Sequence, residues 1–241
     1  MITSPAVRVF KDEKFHRFVD YDSGAVISDL TFRDCEFQGC LVGITKNPQR
    51  RTKIRNVSLI NCSDNGSSIG NAIVEDVLVE NFKAPGLFQT FGAVFKHVIL
   101  RGRFDRLMIC NYELPDSMVN PPYQYEIVDA FREANAEYYQ NVDWALDISE
   151  ADFKSFELRG VPTHLVRRDP DTQIVVTRAK ALKGEWKELE FEDTLFATSI
   201  EMFLQRGEPS YVLIAPKRHR KFLLYLHDLQ LLREAGIAEP D

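Results

Sequence analysis

The chain has 241 residues, 44% of them apolar, with 30 basic against 36 acidic residues and a net charge of −6. This supports one long domain, or a domain with a smaller appendage, and argues against the broad nucleic-acid binding of a basic domain. Four cysteines (Cys35, Cys40, Cys62, Cys110) are few for a secreted disulfide framework, the opening residues lack the apolar stretch of a secretion signal, and no apolar run reaches membrane-spanning length, so a cytoplasmic protein with no membrane partner is expected.

Residues 1–26 are expected to form an N-terminal cap. From residue 27 onward an apolar pair recurs: Leu30 and Phe32, Val57 and Leu59, Val77 and Val79, Val98 and Leu100, and then Phe156 and Leu158. Three residues before each pair stands another apolar residue: Ile27, Ile54, Val74, Phe95 and Phe153. Two residues after each pair stands a turn-former: Asp34, Asn61, Asn81, Gly102 and Gly160. Alternation bounded by Asn, Asp or Gly predicts short strands. The interval is 20 residues from Val57 to Val77 and 21 from Val77 to Val98, which predicts a parallel solenoid whose rungs stack like on like. Leu30, Val57, Val77 and Val98 would form one inward column, and Cys35, Cys62 and Phe82 a second.

The series breaks at residues 111–143, where a helical insertion is expected. Ile127, Phe131, Ala134 and Tyr138 share one helical face there. Residues 144–165 resume the strand pattern and complete a β-region over 27–165. Residues 166–241 are expected to form a helical C-terminal cap. Its first helix would start with Asp169 as N-cap and Pro170 at the first position, with Ile174, Leu182, Trp186 and Leu189 on one face. A second helix would end near Gly207 and a third would run from Pro216 to Gly236, with "SYVLIA" between them as a strand or buried connector.

A finer period of five runs through "LTFRD/CEFQG/CLVGI" and "ADFKS/FELRG/VPTHL". With Ala151-Asp152-Phe153 as the best-matching unit and Cys35-Glu36-Phe37 close to it, residues 27–110 and 144–165 resemble the pentapeptide-repeat family in degenerate form. The resemblance implies a mainly β chain folded as a right-handed quadrilateral β-helix. It also implies a non-catalytic protein–protein interaction or scaffold role, of an immunity or inhibitor type, with another protein as partner and homodimerisation left open. Some members of the family imitate DNA; a basic loop and a large helical end argue against that version here.

The candidate chemistry is sparse. No zinc-site spacing, His-x-x-x-His, P-loop or G-x-G-x-x-G motif occurs, so no catalytic, cofactor-binding or metal-ligating residue is assigned and no cofactor is implied. Cys35, Cys40 and Cys62 read as small core fillers. Asp29, Glu36, Glu75, Asp76 and Glu80 fall on the outer face. A carbohydrate-acting β-helix enzyme, the alternative function, would need such carboxylates to converge. The sharpest charge cluster is "KRHRK", Lys217, Arg218, His219, Arg220 and Lys221. In the first turns of a helix these cations would oppose the dipole and invite an acidic neighbour such as "KELEFED" or a phosphate or nucleic-acid ligand. Arg50 and Arg51 form a second, exposed basic spot.

Overall fold

Strands running in one direction dominate the computed structural model, which describes residues 7–110 and 123–240. The strands come in sets. First are β1 (Arg8–Lys11), β2 (Lys14–His16) and β3 (Val19–Tyr21), then β4 (Val26–Arg33), β5 (Glu36–Gln38) and β6 (Leu41–Ile44), then β7 (Lys53–Ile60), β8 (Ser63–Asn65) and β9 (Ser68–Ile69). The long strands β10 (Ile73–Phe91) and β11 (Val94–Cys110) follow. After α1 (Tyr123–Tyr139) come β12 (Leu146–Asp147), β13 (Ala151–Leu158) and β14 (Val166–Arg167). Each member of a set pairs in parallel with its counterpart in the next, giving one large sheet with three parallel ladders that merge in β10 and β11.

The register places apolar residues over apolar residues. Leu30 lies opposite Val57, Val57 opposite Val77, and Val77 opposite Val98; Phe32, Leu59, Val79 and Leu100 match in the same way. Val57, Val77 and Val98 are buried, as are Cys35 and Cys62. Side chains alternate along each strand, so a slip of one residue would turn every one of these apolar groups outward. The expected turn-formers Asp34, Asn61 and Asn81 take the left-handed conformation, with φ of 54°, 55° and 53°, which Asn and Asp tolerate better than most residues. Asn81 Nδ2 donates to Asn61 Oδ1 at 3.1 Å, linking two of these corners.

Within residues 1–26, the described part does not close the end of the sheet but adds strands β1–β3 to it. The inward spacing already holds there: Phe10 pairs with Phe32 and Phe15 with Phe37, their rings stacked at 5.2 and 5.3 Å. Next, Phe156 does not continue the Val98 row. Leu146 lies opposite Val98, while Phe156 lies opposite Leu107 in another ladder. The same local pattern serves different ladders, so sequence pattern alone does not separate them.

The helix expected to start at Asp169 and Pro170 does not form. That region opens instead with strand β15 (Gln173–Thr177), because the run Ile174-Val175-Val176-Thr177 is β-branched and favours a buried strand. A short helix, α2 (Arg178–Ala181), follows, then α3 (Phe196–Arg206), strand β16 (Ser210–Ile214) and α4 (Phe222–Glu234). Strands β15 and β16 pair antiparallel, and Leu182 is exposed rather than buried. The C-terminal region is therefore mixed, with a core of its own around Ile174, Ile200, Phe203 and Leu229. Helix α3 ends at Gly207 with φ of 75°, as expected of a glycine stop.

The insertion at 111–143 contains α1 as expected; residues 111–122 lie outside the described residues. Helix α1 buries Phe131 and Tyr139, and the Phe95 amide donates to the Tyr139 hydroxyl. Arg51 is not an exposed basic spot: it is 4% exposed, hydrogen-bonded to Asn135, with its guanidinium 4.9 Å over the Phe131 ring. Burial lowers its pKa to about 10. Arg51 is a strut under α1.

Candidate anion-binding cleft

The "KRHRK" segment is not helical. Lys217–Lys221 form a turn between β16 and α4, with Lys221 as the residue before the helix, so the expected clash with the helix dipole is relieved. The turn is fastened to the parallel sheet. The Arg218 amide donates to the Phe153 carbonyl at 3.1 Å, and Arg218 Nη1 donates to the Phe104 carbonyl at 2.6 Å and lies 3.5 Å from Asp105. Lys217 lies 3.0 Å from Asp169 and 3.7 Å from Asp152. Burial would raise the Asp169 carboxyl, but Thr172 and Lys217 outweigh it and hold the group below its usual range. On the other flank Lys221 pairs with Asp193, inside the acidic stretch anticipated as its neighbour.

These contacts occupy the two lysines and hang His219 and Arg220 over a cleft of about 720 Å³ between the sheet and the C-terminal region. The opposite wall comes from β11 and β13. There Arg106 pairs with Ser155 in register, at a bend where Phe104 and Leu107 both stay buried. Arg106, Lys154 and Ser155 point outward from this bend. The floor is apolar, with Phe156, Phe196 and Tyr225.

The cleft is lined by Arg106, Lys154, Arg218, His219 and Arg220 and by no acidic side chain. Of its four permanent cations, Arg218 alone is paired with a carboxylate among the described residues. For a chain of net charge −6 this is a marked local reversal. Burial, with the neighbouring Arg220 and Lys221, lowers the pKa of His219. Its Nδ1 accepts from the Lys221 amide at 3.1 Å, so the neutral ring carries its proton on Nε2 and can donate it to an anion. Helix α3 begins at the same cleft with no side-chain cap, adding the partial positive charge of its free amides. Its start is set by the fully buried Asp228, which accepts from the Glu192 amide and the Thr194 hydroxyl.

Thus Arg218, His219 and Arg220 reach the cleft, while Lys217 and Lys221 are tied to carboxylates beside it. Arg50 lies elsewhere, 3.2 Å from Asp22. Arg106 and Lys154 carry no local sequence signal, because strand pairing alone brings them together. The outer carboxylates do not converge. Asp29 accepts from Asn56, Glu36 pairs with Lys14, Glu75 with Arg55, Glu80 with Arg101, and Asp76 sits 3.1 Å from His97. Among the described residues no group of His, Cys, Asp and Glu could hold a metal ion, and no helix is long and apolar enough to cross a membrane.

Comparison with known proteins adds no identity: no protein-family model matches the chain, and no curated protein matches it.

Proposed function

We propose that the chain is a non-catalytic interaction protein whose cleft receives an acidic segment of a partner protein. Its ladders are read as the rungs of a right-handed parallel β-helix, as the pentapeptide-repeat resemblance implies. The observation that carries the functional reading is the lining of the cleft, with four cations, one imidazole and no carboxylate. Leu87 and Leu195 also line it and are 43% and 64% exposed. Apolar anchors beside cations suit a peptide that alternates acidic and aliphatic residues better than a bare phosphate. A carbohydrate-acting enzyme is less well supported, because its carboxylates would have to share a groove and the outer ones are tied up separately.

The test is fluorescence anisotropy with a labelled peptide alternating Glu and Leu, set against inorganic phosphate and a single-stranded DNA oligomer. Binding of the peptide that weakens with salt, and is poorly displaced by the other two, supports the reading. No peptide binding, or tighter binding of either competitor, rejects it.

A further inference from the structure

A second cavity, of about 430 Å³, lies inside the parallel sheet. It is lined in succession by Phe10 on β1, Phe32 on β4, Leu59 on β7, Val79 on β10 and Leu100 on β11. Those five strands are separated by four spacings of about 4.8 Å, so the cavity is about 19 Å long. Spread over that length, the volume leaves room for the atom centres of an extended hydrocarbon chain. At the β1–β3 end it is bordered by Phe18, which is 52% exposed. An apolar void left empty destabilises a protein in proportion to its volume, whereas apolar cavities of roughly 150 Å³ take up small hydrocarbons.

Two buried polar side chains line the cavity, and one of them is already met: Asp64 accepts from the Ser67 amide. Thr90 sits in an inward row between Ile69 and Ile109, is 4% exposed, lines the cavity, and its hydroxyl has no hydrogen-bond partner among the described residues. Valine would have the same shape at no polar cost. A buried hydroxyl left unpaired is unfavourable, so its place in a row of aliphatic side chains points to a ligand atom that completes it. A carboxylate headgroup does not suit this depth, since Asp64 already places an acidic side chain on the lining and one hydroxyl cannot compensate a second buried charge.

We propose that this cavity binds one unbranched, neutral alkyl chain bearing a single hydroxyl or carbonyl oxygen, and that Thr90 bonds that oxygen. The cavity shares Arg106 alone with the lining of the basic cleft, and Thr90 belongs to the cavity only, so Thr90→Val tests this reading without touching the cleft.

The experiment is calorimetric titration of the full chain with 1-dodecanol, dodecane and dodecanoate, repeated on Thr90→Val. The expected result is saturable binding of dodecanol about five-fold tighter than dodecane, the worth of one neutral hydrogen bond, with dodecanoate weaker than both. Thr90→Val should abolish the preference for the alcohol, leave dodecane binding unchanged, and raise the urea midpoint of the ligand-free protein. Failure of dodecanol to bind, or an alcohol preference retained by a folded Thr90→Val, overturns the proposal. Concentration-dependent self-association without dodecanol uptake also overturns it and gives the open end to a second copy of the chain.

Discussion

Arg218 and Phe104, 114 residues apart, are joined by a 2.6 Å hydrogen bond from the guanidinium to the backbone carbonyl. This bond and the Arg218 amide together dock the basic turn on the sheet. Arg218→Ala should destabilise the protein by about 1–2 kcal/mol, the lower part of the range for a charge-assisted bond because the side chain is partly exposed. Peptide binding at the cleft should fall as well. Urea denaturation and anisotropy on the same variant check both.

The cleft cations should matter for binding and little for folding. Arg106→Glu combined with Lys154→Glu replaces two exposed cations that have no acidic partner among the described residues. Surface changes of this kind usually stay within about 0.5 kcal/mol of the parent. Binding of the acidic peptide should fall at least ten-fold, with a flatter salt dependence. An unchanged affinity would remove the cleft from the functional account.

The inward column should be intolerant. Val77 is 6% exposed between Val57 and Val98. Val77→Ala removes two buried methyl groups and should cost about 2 kcal/mol, read from the urea midpoint. Val77→Asp should prevent folding, since its charge has no partner there.

Gly102 tests the corners. Its φ is 76°, and a Cβ would stand 2.3 Å from Asn81 Oδ1, the atom that accepts the Arg103 amide. Gly102→Ala should cost at least about 1–2 kcal/mol from left-handed strain alone, and more from displacing Asn81. Gly66→Ala, with φ of 78° and nothing within 4 Å of the added Cβ, should show the strain without the clash. The difference between their denaturation midpoints isolates it.

His219 should make stability depend on pH. Its pKa in the folded protein is lowered from the ordinary 6.5, so the unfolded chain binds the proton more readily. The contribution is fully present above pH 6.5 and is lost as pH falls from 6.5 to the folded-state value. Urea midpoints measured from pH 8 to pH 5 should drop for the parent, and less for His219→Asn.

Much of the parallel sheet was legible because stacking imposes a periodicity that a single chain must write out. Val57, Val77 and Val98 recur at intervals of 20 and 21 residues since each must cover the next, with Leu30 set 27 residues before Val57, and Asp34, Asn61, Asn81 and Gly102 recur since each corner takes a left-handed residue. The short apolar run at Gln173–Thr177 fits both the helical and the strand period, and only its antiparallel partner at Ser210–Ile214 makes it a strand rather than the expected helix.

The amino-acid order by itself determined the inward rows, the corners, the helical insertion and the last two helices apart from the start of α4, all of which are set by local spacing and conformational preference. Tertiary structure alone decided that Arg106 and Lys154 face Arg218, His219 and Arg220 across one cleft, that Arg51 is buried beneath a helix, and that Thr90 stands unpaired in an apolar interior. Charge convergence and burial depend on which distant segments pack together, and no local pattern of residues encodes that.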